Sequence, residues 1–376
     1  MAPPAALTWE EIFRILTFQE DVNIQKLYRA IFGVRRMAPS QAAGIEVLMN
    51  CLSARKSDSV LFRHECCYLL GQLGAEAHDL KLKQQVFDGL LHVLTDAEED
   101  EVTRHEAAEG IAAVFNYNLD ELLSDEDIEG IKAFFNKKHE EMVAAGLGSS
   151  SIDNALLADL KQDFENPERQ SSFMSRNRSL IQILSRFSTM ETALGQTCWL
   201  AVEGLKRETA KVCACQYVSY DPAIGDPTAT EDDIPQYLDI LKDATAPFYQ
   251  RYVALFTLRN QCAEAELANV LDEDTSSPVL RHEISFVLGQ MESETARDAL
   301  IRSLEKSSEH PMVRHESAIA LGSIGTEVSK VKLQEYINDS EQMVADSCLV
   351  ALDTIAYWEA WEEEEKRIKN SCSEGD

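Results

Sequence analysis

The sequence predicts an all-α fold: a helical-hairpin repeat solenoid built as two pseudo-symmetric halves of four repeats each. Three observations carry this expectation. The stretch VLRHEISFVLGQM (279–291) recurs as LFRHECCYLLGQL (61–73), VTRHEAAEGIAAV (102–114) and MVRHESAIALGSI (312–324). In every copy apolar residues follow the His at six and nine positions, and a small residue (Gly71, Ala112, Gly289, Gly322) follows at seven. That is helical spacing, with a small side chain where helices cross. Upstream of each copy lies another amphipathic stretch, such as LKQQVFDGLLHVLTD or ARDALIRSLEKSSEH, which supplies the first helix of a hairpin.

Four further segments complete the frame. The first repeat carries YRAIFGVRR (28–36), with Tyr28 where the second and third have His64 and His105. The fourth carries QTCWLAVEGL (196–205). The fifth, YVALFTLRN (252–260), matches the first and places Tyr252 at the same position. The sixth and seventh carry His282 and His315, and the eighth, DSCLVALDTI (346–355), resembles the fourth. The order plain, bearing, bearing, plain is thus written twice.

Spacing locates the additions. His282 and His315 are 33 residues apart, one ordinary hairpin, whereas His64 and His105 are 41 apart. Between the third and fourth repeats about 60 residues are extra. They include LSDEDIEGIKAFFNKKHEEM, read as a helix pair, and GLGSSS with ENPERQSSFMSRNRS, read as low in order. Residues from about 121 to 175 as a whole are expected to be a surface addition, removable without loss of the metal site. The expected organisation is an N-terminal half over 1–119 and 176–212, an insertion at 120–175 within its fourth repeat, a linker at 213–235, a C-terminal half at 236–357, and a charged tail at 358–376 that frays.

Composition narrows the function classes. The formal charge of −30 on 376 residues excludes the clustered cations that nucleic-acid binding needs, and it suits a basic partner. No apolar run approaches the roughly 18 residues of a membrane span, and the start MAPPAALTWEEIF lacks a secretory pattern. Nine scattered cysteines without a CxxC pair fit a reducing compartment, so the expected location is cytoplasmic. Cys66–Cys67 reads as small core residues, and CAC at 213–215 as a weak soft-metal candidate.

The His-Glu pairs carry the chemistry. Five of the eight His residues are followed by Glu, where chance gives about one such pair. Four lie at one repeat position, each behind an Arg. The fifth, His139–Glu140, lies off the frame in the insertion and reads as a solvated helix face. A single pair would be plain helix punctuation, with Glu favouring the N-terminal dipole. Four pairs confined to four central repeats are a donor set. Stacked repeats bring equivalent positions together, so His64 meets His105 and His282 meets His315. Two imidazoles and one carboxylate per half form a non-haem iron site with open positions, and two halves closing on each other would bring two irons together. Zinc accepts the same donors but suits hydrolysis less well when doubled. No phosphate loop, Ser-His-Asp order or dinucleotide fingerprint is present.

These motifs resemble the deoxyhypusine hydroxylase family, di-iron enzymes built from HEAT-type repeats. The resemblance covers both repeat halves and is strongest from YVSYDPA through RYVALFTLRN, LRHEISFVLGQ and PMVRHESAIALG to DSCLVALD. It implies monooxygenation of the deoxyhypusine side chain of a translation factor by O2, using two Fe(2+) per chain and an unidentified reductant. It places metal ligands at His64, His105, His282 and His315, with Glu106 and Glu316 as the firmest carboxylates. Glu65 and Glu283 enter as further ligands or as catalytic anchors for the substrate's amines, and Met312 as a substrate contact. Glu101–Val102 stands where Pro311–Met312 precedes the last motif, so the first half has no counterpart of that Met. Two other readings compete: a non-catalytic repeat scaffold that binds proteins, and a bilin-lyase-like repeat protein.

Overall fold

The computed structural model describes residues 7–19, 22–53, 57–116, 125–147, 172–207, 217, 220 and 222–373. Among these residues every regular element is helical and none is a strand. The α-helices in chain order are α1 Trp9–Leu16, α2 Ile24–Met37, α3 Gln41–Ser53, α4 Val60–Glu76, α5 Leu80–Thr95, α6 Glu101–Asn116, α7 Asp125–Ala144, α8 Ser172–Ser185 and α9 Ala193–Leu205. They continue as α10 Ile234–Lys242, α11 Phe248–Asn260, α12 Glu264–Glu273, α13 Pro278–Met291, α14 Arg297–Glu305, α15 Pro311–Ile324, α16 Glu327–Glu335 and α17 Gln342–Ser373. The all-α hairpin fold is as the repeat pattern predicts.

The helices fall into two compact units. One is the contiguous stretch Ser40–Gln261, and the other joins Met1–Pro39 to Cys262–Asp376. This grouping follows packing. The repeat halves follow internal repetition, and we retain them as a proposal about how the chain is built.

In the unit Ser40–Gln261, α4 packs against α6, and α6 against α9. The motif-bearing α4 is buried almost all round, as a helix flanked by neighbours on several sides must be. Its start is fixed by Ser59, whose hydroxyl accepts the Phe62 N–H. A Cβ added to Gly71 would lie 2.6 Å from Gly110 Cα, so these glycines let the α4 and α6 backbones touch.

The insertion departs from the sequence expectation. Its helix α7 is no surface addition: Ile131, Phe135 and Met142 are buried. Phe135 meets Phe115 at 4.8 Å and Phe87 at 5.2 Å between ring centroids, both edge-on. Each such pair adds about 1 kcal/mol beyond the area it buries. Residues 148–171 of the insertion and the CAC stretch lie outside the described residues. SFMSRNRS, expected to be low in order, instead opens helix α8, with Asn177 and Ser179 buried. The linker, where described, is a strap on α11. A Cβ on Gly225 would meet the Phe256 backbone at 2.8 Å, and Asp226 N–H donates to Thr257 Oγ1 at 2.8 Å.

In the other unit, α13 packs against α15 and α15 against α17. Ser277 and His310 cap α13 and α15, with Pro278 and Pro311 in the first turn and left-handed Gly325 ending α15. The first hairpin belongs here as well. Helix α2 packs on α17, and Arg29 holds Asp353 through two bonds of 2.5 Å. Helix α17 runs on through the charged tail to Ser373, supported by pairs such as Glu365–Lys369.

Candidate metal centre

The stacked hairpins bring the four motif copies together in pairs. In the unit Ser40–Gln261, the His64 and His105 rings lie 6.2 Å apart and nearly parallel. His64 Nε2 is 3.2 Å from Glu106 Oε2, and His105 Nε2 is 3.8 Å from the same oxygen. One donor atom from each of His64, His105 and Glu106 fits within 4.8 Å of the others, and all three residues are buried. Glu65 lies beside them, its Oε1 3.5 Å from His64 Nδ1.

The second unit repeats the arrangement. His282 and His315 have ring centroids 5.4 Å apart. Glu316 Oε2 lies 3.6 Å from His282 Nε2 and 4.0 Å from His315 Nε2. Glu283 is buried on α13 next to His282, and Met312 is buried one turn before His315. His139 is far more ordinary. It is half-buried on α7, where burial and the nearby Arg186 hold its imidazole below the usual range.

These residues fit a cation. Burial alone would lower the His64 imidazole, yet the Glu106 carboxylate, its hydrogen bond to the ring, and Glu65 together hold it well above the usual range. The Nε2 edge of His64, which faces the buried Glu106 carboxylate, is where a cation would be held. Two imidazoles and a carboxylate, leaving positions open, suit a first-row divalent metal and non-haem iron in particular.

Comparison with known proteins identifies the family. Residues 264–353 match the HEAT repeats family. The deoxyhypusine hydroxylase of Mus musculus is 30% identical over 335 residues, covering 89% of this chain and 87% of its own. That of Homo sapiens is 31% identical over 336 residues, covering 88% and 85%. The chain belongs to the deoxyhypusine hydroxylase family. The structure of human deoxyhypusine hydroxylase in complex with glycerol is 28% identical and covers 93% of this chain and 96% of its own, with a TM-score of 0.63. Membership in the deoxyhypusine hydroxylase family displaces both competing readings, the scaffold and the bilin-lyase-like protein.

Within this family member the structure assigns work to residues whose role the sequence left blank. The Arg of three of the four motifs is a staple between hairpins. Arg63 forks onto Glu99, Arg281 onto Glu309 (2.6 and 3.1 Å) and Arg314 onto Asp339 (2.5 and 3.1 Å). Each acid sits in the turn of the next hairpin. Arg104 and Arg314 also donate to the carbonyls of Leu94 and Leu304. A planar fork paired with a buried carboxylate fixes orientation as well as distance, so the Arg sets how one His-bearing helix stands against the next. Cys66, Cys67 and Cys198 are fully buried core residues, as expected for the first two. Burial pushes the Cys198 thiol up to about 12. No described helix is long and apolar enough to cross a membrane.

Proposed function

We propose that this chain is a non-haem iron monooxygenase that hydroxylates the deoxyhypusine side chain of a translation factor, completing hypusine. Its cofactor is two Fe(2+) per chain, one held by His64, His105 and Glu106 and the other by His282, His315 and Glu316. The observation that carries this reading is the doubled donor set, two imidazoles and one carboxylate in each unit. Family membership supports the choice of iron and substrate.

Iron at these donors supplies oxygen activation. Inserting one atom of O2 into a C–H bond and reducing the other to water consumes two electrons, so an external reductant takes part. The protein's own residues bind and orient. Glu65 and Glu283 hold the ammonium groups of the side chain, where a buried carboxylate gives a charge-assisted bond. Met312 lies along its aliphatic stem. The formal charge of −30 draws in a basic target and repels nucleic acid. The proposed location is cytoplasmic.

Metal analysis of the purified protein tests this. Wild-type protein carries about two irons per chain. His64→Ala and His282→Ala each lose iron, while His139→Ala keeps it. Full retention in the first two variants overturns the assignment.

A further inference from the structure

One contact beside the proposed donors belongs to none of the four motifs. His105 Nδ1 lies 2.7 Å from the hydroxyl of Thr197, and both residues are fully buried. The Thr197 hydroxyl in turn donates to the Ala193 carbonyl at 3.1 Å. A carbonyl can only accept, and a threonine hydroxyl has a single proton. With that proton on the Ala193 carbonyl, His105 Nδ1 is the donor in the shorter contact. A neutral imidazole that gives its proton at Nδ1 carries its lone pair at Nε2. His105 Nε2 is the atom that faces Glu106.

We infer that Thr197 is a positioning residue, holding His105 in the tautomer and ring orientation that make Nε2 a metal ligand. This deepens the proposed function and rests on its reading of His64, His105 and Glu106 as one donor set. Two further observations support it. Helix α9 is held in register on α6 one turn earlier by a bond from Leu194 N–H to Glu101 Oε1, 3.0 Å long. Glu101 and His105 are i, i+4 on α6, and Leu194 and Thr197 are i, i+3 on α9, so two rungs fix where the hydroxyl stands. The other half keeps a hydroxyl at the matching position. Ser347, in the segment that resembles that of Thr197, is fully buried and makes the same bond four residues back, to Met343 O at 2.8 Å.

The test is titration of metal-free full-length protein with Co(2+), followed by calorimetry and by the visible absorption of the bound ion. Wild-type protein takes up two equivalents. In Thr197→Val one equivalent weakens about 10- to 100-fold, the usual cost of losing the partner of a metal-bound imidazole, and its absorption band changes. The second equivalent is unaffected. Thr197→Ser, which restores the hydroxyl, returns the wild-type isotherm and spectrum. Thr197→Ala carries the same test if the Val variant does not fold, because it only removes atoms. Two wild-type equivalents in the folded Val or Ala variant overturn the inference, even if its melting temperature falls, since a merely structural threonine would lower stability alone. Absence of Co(2+) binding by the wild type overturns the donor sets themselves.

Discussion

Glu106 lies closer to the histidine of the neighbouring hairpin than to the histidine beside it in sequence: its Oε2 is 3.2 Å from His64 Nε2 and 3.8 Å from His105 Nε2. Glu316 repeats the relationship at 3.6 Å from His282 and 4.0 Å from His315. The second carboxylate of each unit therefore spans two repeats, whereas Glu65 meets its own neighbour, at His64 Nδ1.

Different losses follow from the two classes of acid. Glu106→Ala and Glu316→Ala lower bound iron, because each removes the carboxylate shared by two imidazoles. Glu65→Ala and Glu283→Ala leave most iron in place and raise KM for the deoxyhypusine-bearing protein. Metal analysis and steady-state kinetics on all four variants check this. Identical behaviour of the four in both assays would end the division of roles.

Two glycines of similar helical context give opposite outcomes. Gly71→Ala places a methyl 2.6 Å from Gly110 Cα, a backbone atom that cannot swing aside. The variant loses about 1–3 kcal/mol, and separation of α4 from α6 lowers metal affinity at His64 and His105. Gly130, exposed on α7, has no atom within 4 Å of an added Cβ, so Gly130→Ala gains about 0.5–1 kcal/mol. Denaturant midpoints of the two variants provide the comparison.

Lys83 predicts a pH dependence. Its buried ammonium donates to the carbonyls of Gly74 (2.8 Å), Ala75 (3.1 Å) and Val114 (3.0 Å), and burial lowers it to about 8. Between that value and the ordinary lysine range near 10.4, the unfolded chain holds a proton that the folded chain has released. Stability relative to Lys83→Met therefore rises with pH across this window, by on the order of 1–3 kcal/mol. Below about pH 8 both states are protonated and the difference is flat. Paired melts from pH 7 to 10 measure it, and a falling difference contradicts the prediction.

Thr103 carries a fully buried hydroxyl with no hydrogen-bond partner among the described residues. Phe62, Leu280 and Val313 hold the same position in the other three motif copies. Thr103→Val keeps the shape and removes the stranded polar atom, so unfolding free energy rises by about 1–2 kcal/mol. A lower midpoint would show that the hydroxyl is bonded in solution.

The donors were legible because repetition turns sequence register into adjacency: equivalent positions of stacked hairpins are neighbours in space, and His64 needs no further clue to find His105. What repetition does not encode stayed hidden. Phe134 and Phe135 look like an insertion by spacing, yet they complete the aromatic core around Phe87 and Phe115. Their side chains fit a site that no periodic rule describes. The Arg of each motif was visible, but the acid partners of Arg63, Arg281 and Arg314 sit at different distances along the chain, as Glu99, Glu309 and Asp339. Thr197 lacked a signal altogether, since a threonine in a helix differs little from a core residue until its neighbour is known to be His105. The Arg29–Asp353 pair, joining residues 324 positions apart, leaves no trace in a frame built from adjacent repeats.

That pair also orders events in time. The unit Ser40–Gln261 is one uninterrupted stretch, so all of it has been synthesised before residue 262 is joined to the chain. The other unit contains both ends of the molecule, and α2 must wait for α17 before the Arg29–Asp353 bond can form. At typical elongation rates of about 5–20 residues per second, the interval is on the order of tens of seconds. In the last part of it, once residue 261 has been joined, His64, His105 and Glu106 already belong to a finished stretch of chain, while the final helix that packs on α15 is still being made. The protein is thus born with one donor set ahead of the other.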